Sequence, residues 1–183
     1  MKKTIVLTLI FLIAGCTHYY KPVSKWEEEA MNKASFDIFP NDVKNNINAH
    51  KQSKVAWAGI VKSYEIDEST SPYQVVYVLE HHYFSWAIDG TTRKFWLSPR
   101  GEGIFTARWP FLEGWTEDTV RENIKTSDLM VTYGTPKSIT KDNYIDLGEA
   151  YYMRLFPSQA YRTDVIDYGR PGEPSKSIGL GLF

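Results

Sequence analysis

The chain of 183 residues contains a single cysteine, Cys16. One thiol cannot form an internal disulfide, and it cannot supply the several sulfur ligands of a structural zinc or iron–sulfur site. The sequence therefore excludes a disulfide scaffold and a multi-cysteine metal centre. No other motif in the chain indicates a metal or a cofactor, so we predict neither.

An excess of basic residues is also absent. Lysine and arginine number 21 against 22 aspartate and glutamate residues, a net charge of −1. Without residues 1–15, which carry Lys2 and Lys3, the balance becomes 19 − 22 = −3. General nucleic-acid binders carry a strong basic footprint, so we expect no nucleic-acid partner. A hydrophobic content of 43% and an aromatic content of 15% argue against a disordered chain.

Near the N-terminus, the apolar stretch of residues 4–14 is short for a membrane span. Its eleven residues would cover, as a helix, about half of a ~30 Å hydrocarbon core. The stretch follows Lys2 and Lys3, an order typical of a secretion signal. Residues 1–15 are therefore predicted to be a signal peptide that is removed.

The end of this stretch, Ile13-Ala14-Gly15-Cys16, resembles the lipobox of bacterial lipoproteins. The resemblance implies cleavage before Cys16, a diacylglyceryl group on its thiol and acylation of its new amine. Residues 16–23 would then be a lipidated tether. Thr17 stands where an aspartate would resemble an inner-membrane retention signal, so we expect an anchor on the periplasmic face of the outer membrane. The alternative is a free cysteine after an ordinary signal peptide.

Residues 24–54 are predicted to be a helical segment. Ser24 and Glu27 have the spacing of a capping box, which starts a first helix. A second short helix would be capped by Asn41 or Asp42. The apolar stripe of the first helix would comprise Trp26, Ala30 and Met31.

From residue 55 the apolar pattern becomes that of strands, and residues 55–168 are predicted to form one β domain. A helix beginning after Thr116 interrupts the strands. This order favours a small OB-like five-stranded barrel with the helix between strands 3 and 4, since closure removes exposed strand edges. An open curved sheet is the alternative. The predicted strands are 55–61, 73–84, a third strand split into 92–97 and 104–109, then 129–133 and 144–156.

The first strand, residues 55–61, has Trp57 on one face and Ala56, Ala58 and Ile60 on the other. Gly59 within it indicates a bulge or a close backbone approach. At the other end of the chain, residues 169–183 hold four glycines and two prolines. We predict a flexible or partner-ordered tail there.

Two strand motifs extend the resemblance beyond the lipobox. Val55-Ala-Trp-Ala-Gly-Ile-Val61 is similar to the first strand of the Slp family of outer-membrane lipoproteins, which has the pattern V-x-W-x-G-x-I/V. Leu129-Met-Val-Thr-Tyr-Gly134 is similar to a later strand of that family that ends in glycine. The resemblance covers roughly residues 36–156, and residues 144–156 depart from the family pattern. It implies an anchored envelope protein without a known enzymatic role.

Glu80-His81-His82 is the most site-like cluster of ionisable residues. Neighbouring residues on a strand point to opposite faces, so His81 and His82 cannot easily share one ion. We expect polar residues on an outer face, with His81 partly exposed. No nucleophile elbow, phosphate loop or zinc motif occurs, and we predict that the protein is not an enzyme. An envelope glycan enzyme stays an alternative, with its acids drawn from Glu80, Asp89, Glu102 and Glu113.

Aromatic residues are abundant, with six tryptophans, twelve tyrosines and nine phenylalanines. Tryptophan and tyrosine dominate binding hot spots, so part of this set would form a contact surface. The sequence thus predicts a non-enzymatic accessory component of a cell-envelope protein assembly, such as a secretion apparatus. A binder of a small ligand or lipid is the alternative. The candidate interface residues are Trp86, Trp96, Trp109, Trp115 and Phe183.

Overall fold

The computed structural model describes residues 22–88 and 95–163, and this part of the chain is mainly β. Four α-helices are present in it: α1 (Lys25–Lys33), α2 (Pro40–Asn45), α3 (Ile47–His50) and α4 (Glu117–Asn123). The strands are β1 (Val55–Asp67), β2 (Gln74–His82), β3 (Phe84–Ile88), β4 (Phe95–Leu97), β5 (Ile104–Pro110), β6 (Leu129–Gly134), β7 (Ser138–Ile139), β8 (Ile145–Glu149), β9 (Tyr152–Phe156) and β10 (Tyr161–Thr163). Cys16 and residues 169–183 lie outside the described residues.

Seven strands form the main sheet, in the order β7-β8-β5-β2-β1-β6-β9. Its pairs are antiparallel except for β5 with β8, which run parallel. The other three strands form a second sheet in the order β10-β4-β3. The predicted third strand is thereby divided between the two sheets, with β4 in one and β5 in the other.

The main sheet is open, which differs from the closed five-stranded barrel predicted above. Closure would require β8 to pair with β6, and no such pairing joins them in the described part of the chain. The reason is that β6 already pairs with β1 along one edge and with β9 along the other. The predicted single strand 144–156 is two strands, because the chain leaves β5 after Glu149, bends at Tyr151 and continues as β9 along β6. Gly148, within β8, has a positive φ of 63°.

The first helix starts where its cap predicts, and the Ser24 hydroxyl accepts a hydrogen bond from the Glu27 N–H at 3.1 Å. The predicted stripe is wrong at Trp26, which is 75% exposed, whereas Ala30 is buried. Glu27 takes the buried position in its place, because its carboxylate pairs with Arg154 on β9. Helix α2 begins at Pro40, and the Asp42 carboxylate accepts a hydrogen bond from the N–H of Phe39, the residue before it.

Two apolar clusters lie on opposite faces of the main sheet. Trp57 belongs to the cluster that α2 and α4 cover through Val43 and Val120. Ala56 and Ala58 belong to the other cluster, which includes residues of α1 and the second sheet. The predicted division of faces along β1 is confirmed. No helix within residues 22–88 and 95–163 is long and apolar enough to cross a membrane.

Candidate functional site

Helix α4 covers one face of the main sheet, and a cavity of about 580 Å³ lies beneath it. Trp109 on β5 lines one side of the cavity, and Met130 on β6 with Met153 on β9 line another. The cavity thus lies between α4 and the main sheet, with β2 and β5 on one side and β6 and β9 on the other. The remaining lining residues are Tyr77, Leu112, Trp115, Thr119, Val120, Asn123, Ile124, Tyr152 and Leu155.

Local sequence places α4 over this cavity. The Thr116 hydroxyl accepts a hydrogen bond from the Thr119 N–H at 3.2 Å, and Glu117 and Asp118 lie at the positive end of the helix dipole. Val120 and Ile124 are buried and attach the helix to the core. The helix is therefore fixed over the cavity by its cap at the N-terminal end and by the packing of Val120 and Ile124 further along.

The cavity walls are almost entirely apolar or aromatic. Among the described residues that line it there is no aspartate, glutamate, lysine, arginine or histidine. Thr119 and Asn123, together with two tyrosines, supply its polar groups. Leu112 lines the cavity and is 47% exposed, so the cavity opens to the surface beside it. This arrangement suits a neutral, apolar occupant and offers no acid–base pair for catalysis.

The structure brings together two of the predicted interface residues, Trp109 and Trp115, on the walls of this cavity. Phe111 packs edge-on against Trp115, with ring centroids 6.2 Å apart. The side chains of Trp86 and Trp96 lie outside the described part of the structure, as does Phe183.

Tyr77 is a cavity residue that the sequence reasoning missed. It is only 2% exposed, and it lines the cavity from β2. Burial, with Tyr64 as its cross-strand neighbour, raises the pKa of Tyr77, so the hydroxyl stays protonated. No signal in the sequence separates this tyrosine from the other aromatic residues of the predicted strand 73–84.

The predicted exposure of His81 is wrong, because this side chain is 3% exposed. Its Nδ1 accepts a hydrogen bond from the Glu102 N–H at 3.1 Å, and its ring contacts Trp57, Phe39 and Tyr83 edge-on. Burial, together with the adjacent His82, lowers the pKa of His81 to about 3. His81 is therefore neutral at physiological pH and is part of the core.

The acids considered for an enzymatic site occupy separate environments. Glu80 forms a surface ion pair with Lys62 at 2.9 Å. The Glu102 carboxylate is buried, and it accepts hydrogen bonds from the Tyr83 hydroxyl at 2.5 Å and the Asn41 N–H at 2.8 Å. Glu113 is exposed, and Asp89 lies outside the described residues. Within those residues no group of three or more His, Cys, Asp or Glu side chains could hold a metal ion.

No protein-family model matches the chain, and no curated protein matches it significantly.

Proposed function

We propose that the mature protein is a lipid-anchored periplasmic component of the outer membrane that acts by binding and not by catalysis. In this role it is an accessory subunit of a cell-envelope protein assembly. The observation that carries the proposal is the cavity beneath α4, because its walls are aromatic and apolar and its described lining residues carry no acid or base.

The partner that suits this cavity is a protein segment with apolar side chains. Trp109 and Trp115 present large aromatic surfaces, the kind of side chain that carries most of the energy in protein interfaces. Leu112, which is exposed at the edge of the cavity, would be covered by the same segment. Binding of such a segment removes apolar surface of both partners from water, and no charged side chain among the described lining residues has to be neutralised.

Photo-crosslinking in the native bacterium tests this proposal. A benzophenone amino acid at Leu112 places the reactive group at the cavity, and the same group at Ile139 is the matched control. Ile139 is similarly exposed, at 38%, but lies on β7 at the far edge of the sheet. We expect a specific protein adduct from position 112 and none from position 139. Equal adducts from both positions, or none from either, would contradict the proposal.

Binding of a small apolar molecule or lipid is a second candidate function, and the cavity volume favours it. Ligand pockets span roughly 300–1,000 Å³, and this cavity measures about 580 Å³. A neutral fluorescent probe such as N-phenylnaphthylamine would report occupancy of the purified protein. Two results would favour this second function over the first. A lipid extract would displace the bound probe, and the crosslinker at position 112 would capture lipid and no protein.

The anchor is proposed from the lipobox and has its own test. Cys16→Ser removes the only thiol that could be acylated. The variant should be found in the soluble periplasmic fraction or retained with its signal peptide, whereas the unaltered protein fractionates with the outer membrane. If the variant still fractionates with the outer membrane, then the lipid on Cys16 is not what holds the protein there.

We further propose that the domain is OB-like and related to the Slp family. The strand order β8-β5-β2-β1-β6, with α4 between β5 and β6, supports the first part, since OB-folds are partly open five-stranded barrels. For the second part, the two motifs that carry the resemblance pair with each other: Val55 lies opposite Gly134, and Ile60 lies opposite Leu129. The shared motifs would therefore form one structural unit.

A further inference from the structure

An apolar patch lies at the beginning of α1, apart from the cavity. Trp26 is 75% exposed and Val23 is 65% exposed, the two highest values among the large hydrophobic side chains of the described residues. The two residues are three positions apart: Val23 precedes the N-cap Ser24, and Trp26 lies in the first turn of the helix. We call them the Val23–Trp26 patch.

The fold holds this patch outward. Glu27, the next residue along the helix, is completely buried and pairs with Arg154 at 3.2 Å. Its carboxylate also accepts a hydrogen bond from the Val23 N–H at 2.7 Å. Turning Trp26 toward the core would rotate Glu27 away from these partners. The exposure of Trp26 therefore follows from the packing of α1 and is not a matter of free side-chain rotation.

The patch is close in sequence to the proposed lipid attachment. Val23 is seven residues and Trp26 ten residues after Cys16, so even an extended tether places Trp26 within about 33–36 Å of the acylated residue. Tryptophan is enriched at the interface of membranes, where its ring lies at the level of the headgroups. Lys25, between the two apolar residues, has a long side chain that reaches back to water or phosphate.

We infer that the Val23–Trp26 patch is a membrane-contact site, with the Trp26 ring in the headgroup region of the bilayer that holds the anchor. The location rests on the proposed function, whereas the contact itself can be tested without it. Charges on α1 are balanced: Lys25 and Lys33 stand against Glu28 and Glu29 on the exposed part of the helix. The contact is therefore apolar, and it should depend little on salt or on the fraction of anionic lipid.

The test couples the mature chain, residues 16–183, to vesicles through its only thiol. The chain is expressed without residues 1–15, so that Cys16 keeps a free thiol, and vesicles of phosphatidylethanolamine and phosphatidylglycerol with a maleimide lipid capture that thiol. Bromine atoms on the acyl chains then quench only tryptophans that touch the bilayer. We expect quenching that is lost in Trp26→Phe and reduced in Val23→Ser. Trp115→Phe, which alters a tryptophan at the cavity, should retain it.

Quenching that persists in Trp26→Phe, or absence of quenching in the unaltered protein, would overturn the membrane-contact site. Strong dependence of the quenching on salt would do the same, because it would indicate attraction between charges and not apolar contact. None of these outcomes depends on acylation in the cell. Failure of the anchor in the Cys16→Ser fractionation is therefore distinguishable from failure of this inference.

Discussion

Arg154 on β9 lies with its Nη1 atom 3.2 Å from Oε2 of Glu27 on α1, although 127 positions separate the two residues. Glu27 is completely buried, and the side chain of Arg154 is 19% exposed. The guanidinium of Arg154 also lies over the Phe156 ring, 4.4 Å from its centroid. This ion pair fastens the first helix to the last strand of the main sheet, and so it connects the N-terminal segment to the β domain.

Breaking the pair should destabilise the protein strongly. Removing one member of a buried ion pair costs about 3–5 kcal/mol, because the other charge is left without compensation. We expect Glu27→Gln to lower the free energy of unfolding by about 3 kcal/mol, since Arg154 retains some access to water. Urea denaturation provides the measurement. The double variant Glu27→Met with Arg154→Met should lose clearly less free energy of unfolding than the single variants Glu27→Met and Arg154→Met lose together. Losses that simply add would contradict the coupling between the two residues.

Trp57 should be the most sensitive position of β1. It is 1% exposed, packs edge-on against Phe105 at 5.3 Å between ring centroids, and donates its Nε1–H to the Ile38 carbonyl at 2.7 Å. Trp57→Ala should cost about 3–5 kcal/mol through the cavity that it leaves. Trp57→Phe retains an aromatic ring and loses the hydrogen bond, so a smaller loss is expected. Thermal unfolding of both variants checks this order. If both variants melted at the same temperature as the unaltered protein, Trp57 would not be part of the core.

Gly59 should not tolerate a side chain, for reasons of space. A Cβ atom there would lie 2.8 Å from the Leu79 Cβ and 2.9 Å from the Phe105 ring. Overpacking of this kind costs about 1–3 kcal/mol, and Gly59→Ala should show it in urea denaturation. Gly114→Ala is an informative comparison: nothing lies within 4 Å of its Cβ position, but its φ of +81° strains any side chain. An additional substitution of Phe105 by leucine should relieve part of the loss at Gly59 and none at Gly114.

Buried His81 should make the stability depend on pH. Its pKa is lowered to about 3 in the folded protein, from a usual value of 6.5. Between these two values the unfolded chain binds the additional proton, so the free energy of unfolding falls as the pH falls. At about 1.36 kcal/mol for each pKa unit, the loss from pH 7 to pH 5 is about 2 kcal/mol. His81→Gln keeps an acceptor for the Glu102 N–H and should reduce this loss. An identical pH dependence in both proteins would contradict a neutral, buried His81.

Local signals in the sequence predicted the elements more successfully than their pairing. Caps at Ser24 and Thr116 and the alternation along β1 depend on neighbouring residues, and all three are confirmed. Whether β8 or β9 takes the free edge of β6 depends on hydrogen bonds between distant segments. The break between these two strands, at Ala150 and Tyr151, also has no counterpart in the pattern of apolar residues.

The candidate site was predictable only in part, for the same reason. An abundance of aromatic residues indicated a contact surface, and Trp109 and Trp115 do line one cavity. That Tyr77 from a distant strand joins them follows from the sheet order, which no local pattern reveals. Similarly, the burial of His81 arises because Phe39 and Glu102, from two other segments, close around it.

Within the described residues, β6 and β8 are not joined by strand pairing, and this has a mechanical consequence. At this seam a Cβ on Gly134 would lie 3.1 Å from Leu147, so the Gly134 backbone packs against the Leu147 side chain, and no ladder of hydrogen bonds joins the two strands within the described residues. A seam of this kind can widen or narrow without breaking backbone bonds, whereas a closed barrel would have to break several. The spacing between β6 and β8 can therefore change while β6 keeps its register with β1 and β8 keeps its register with β5.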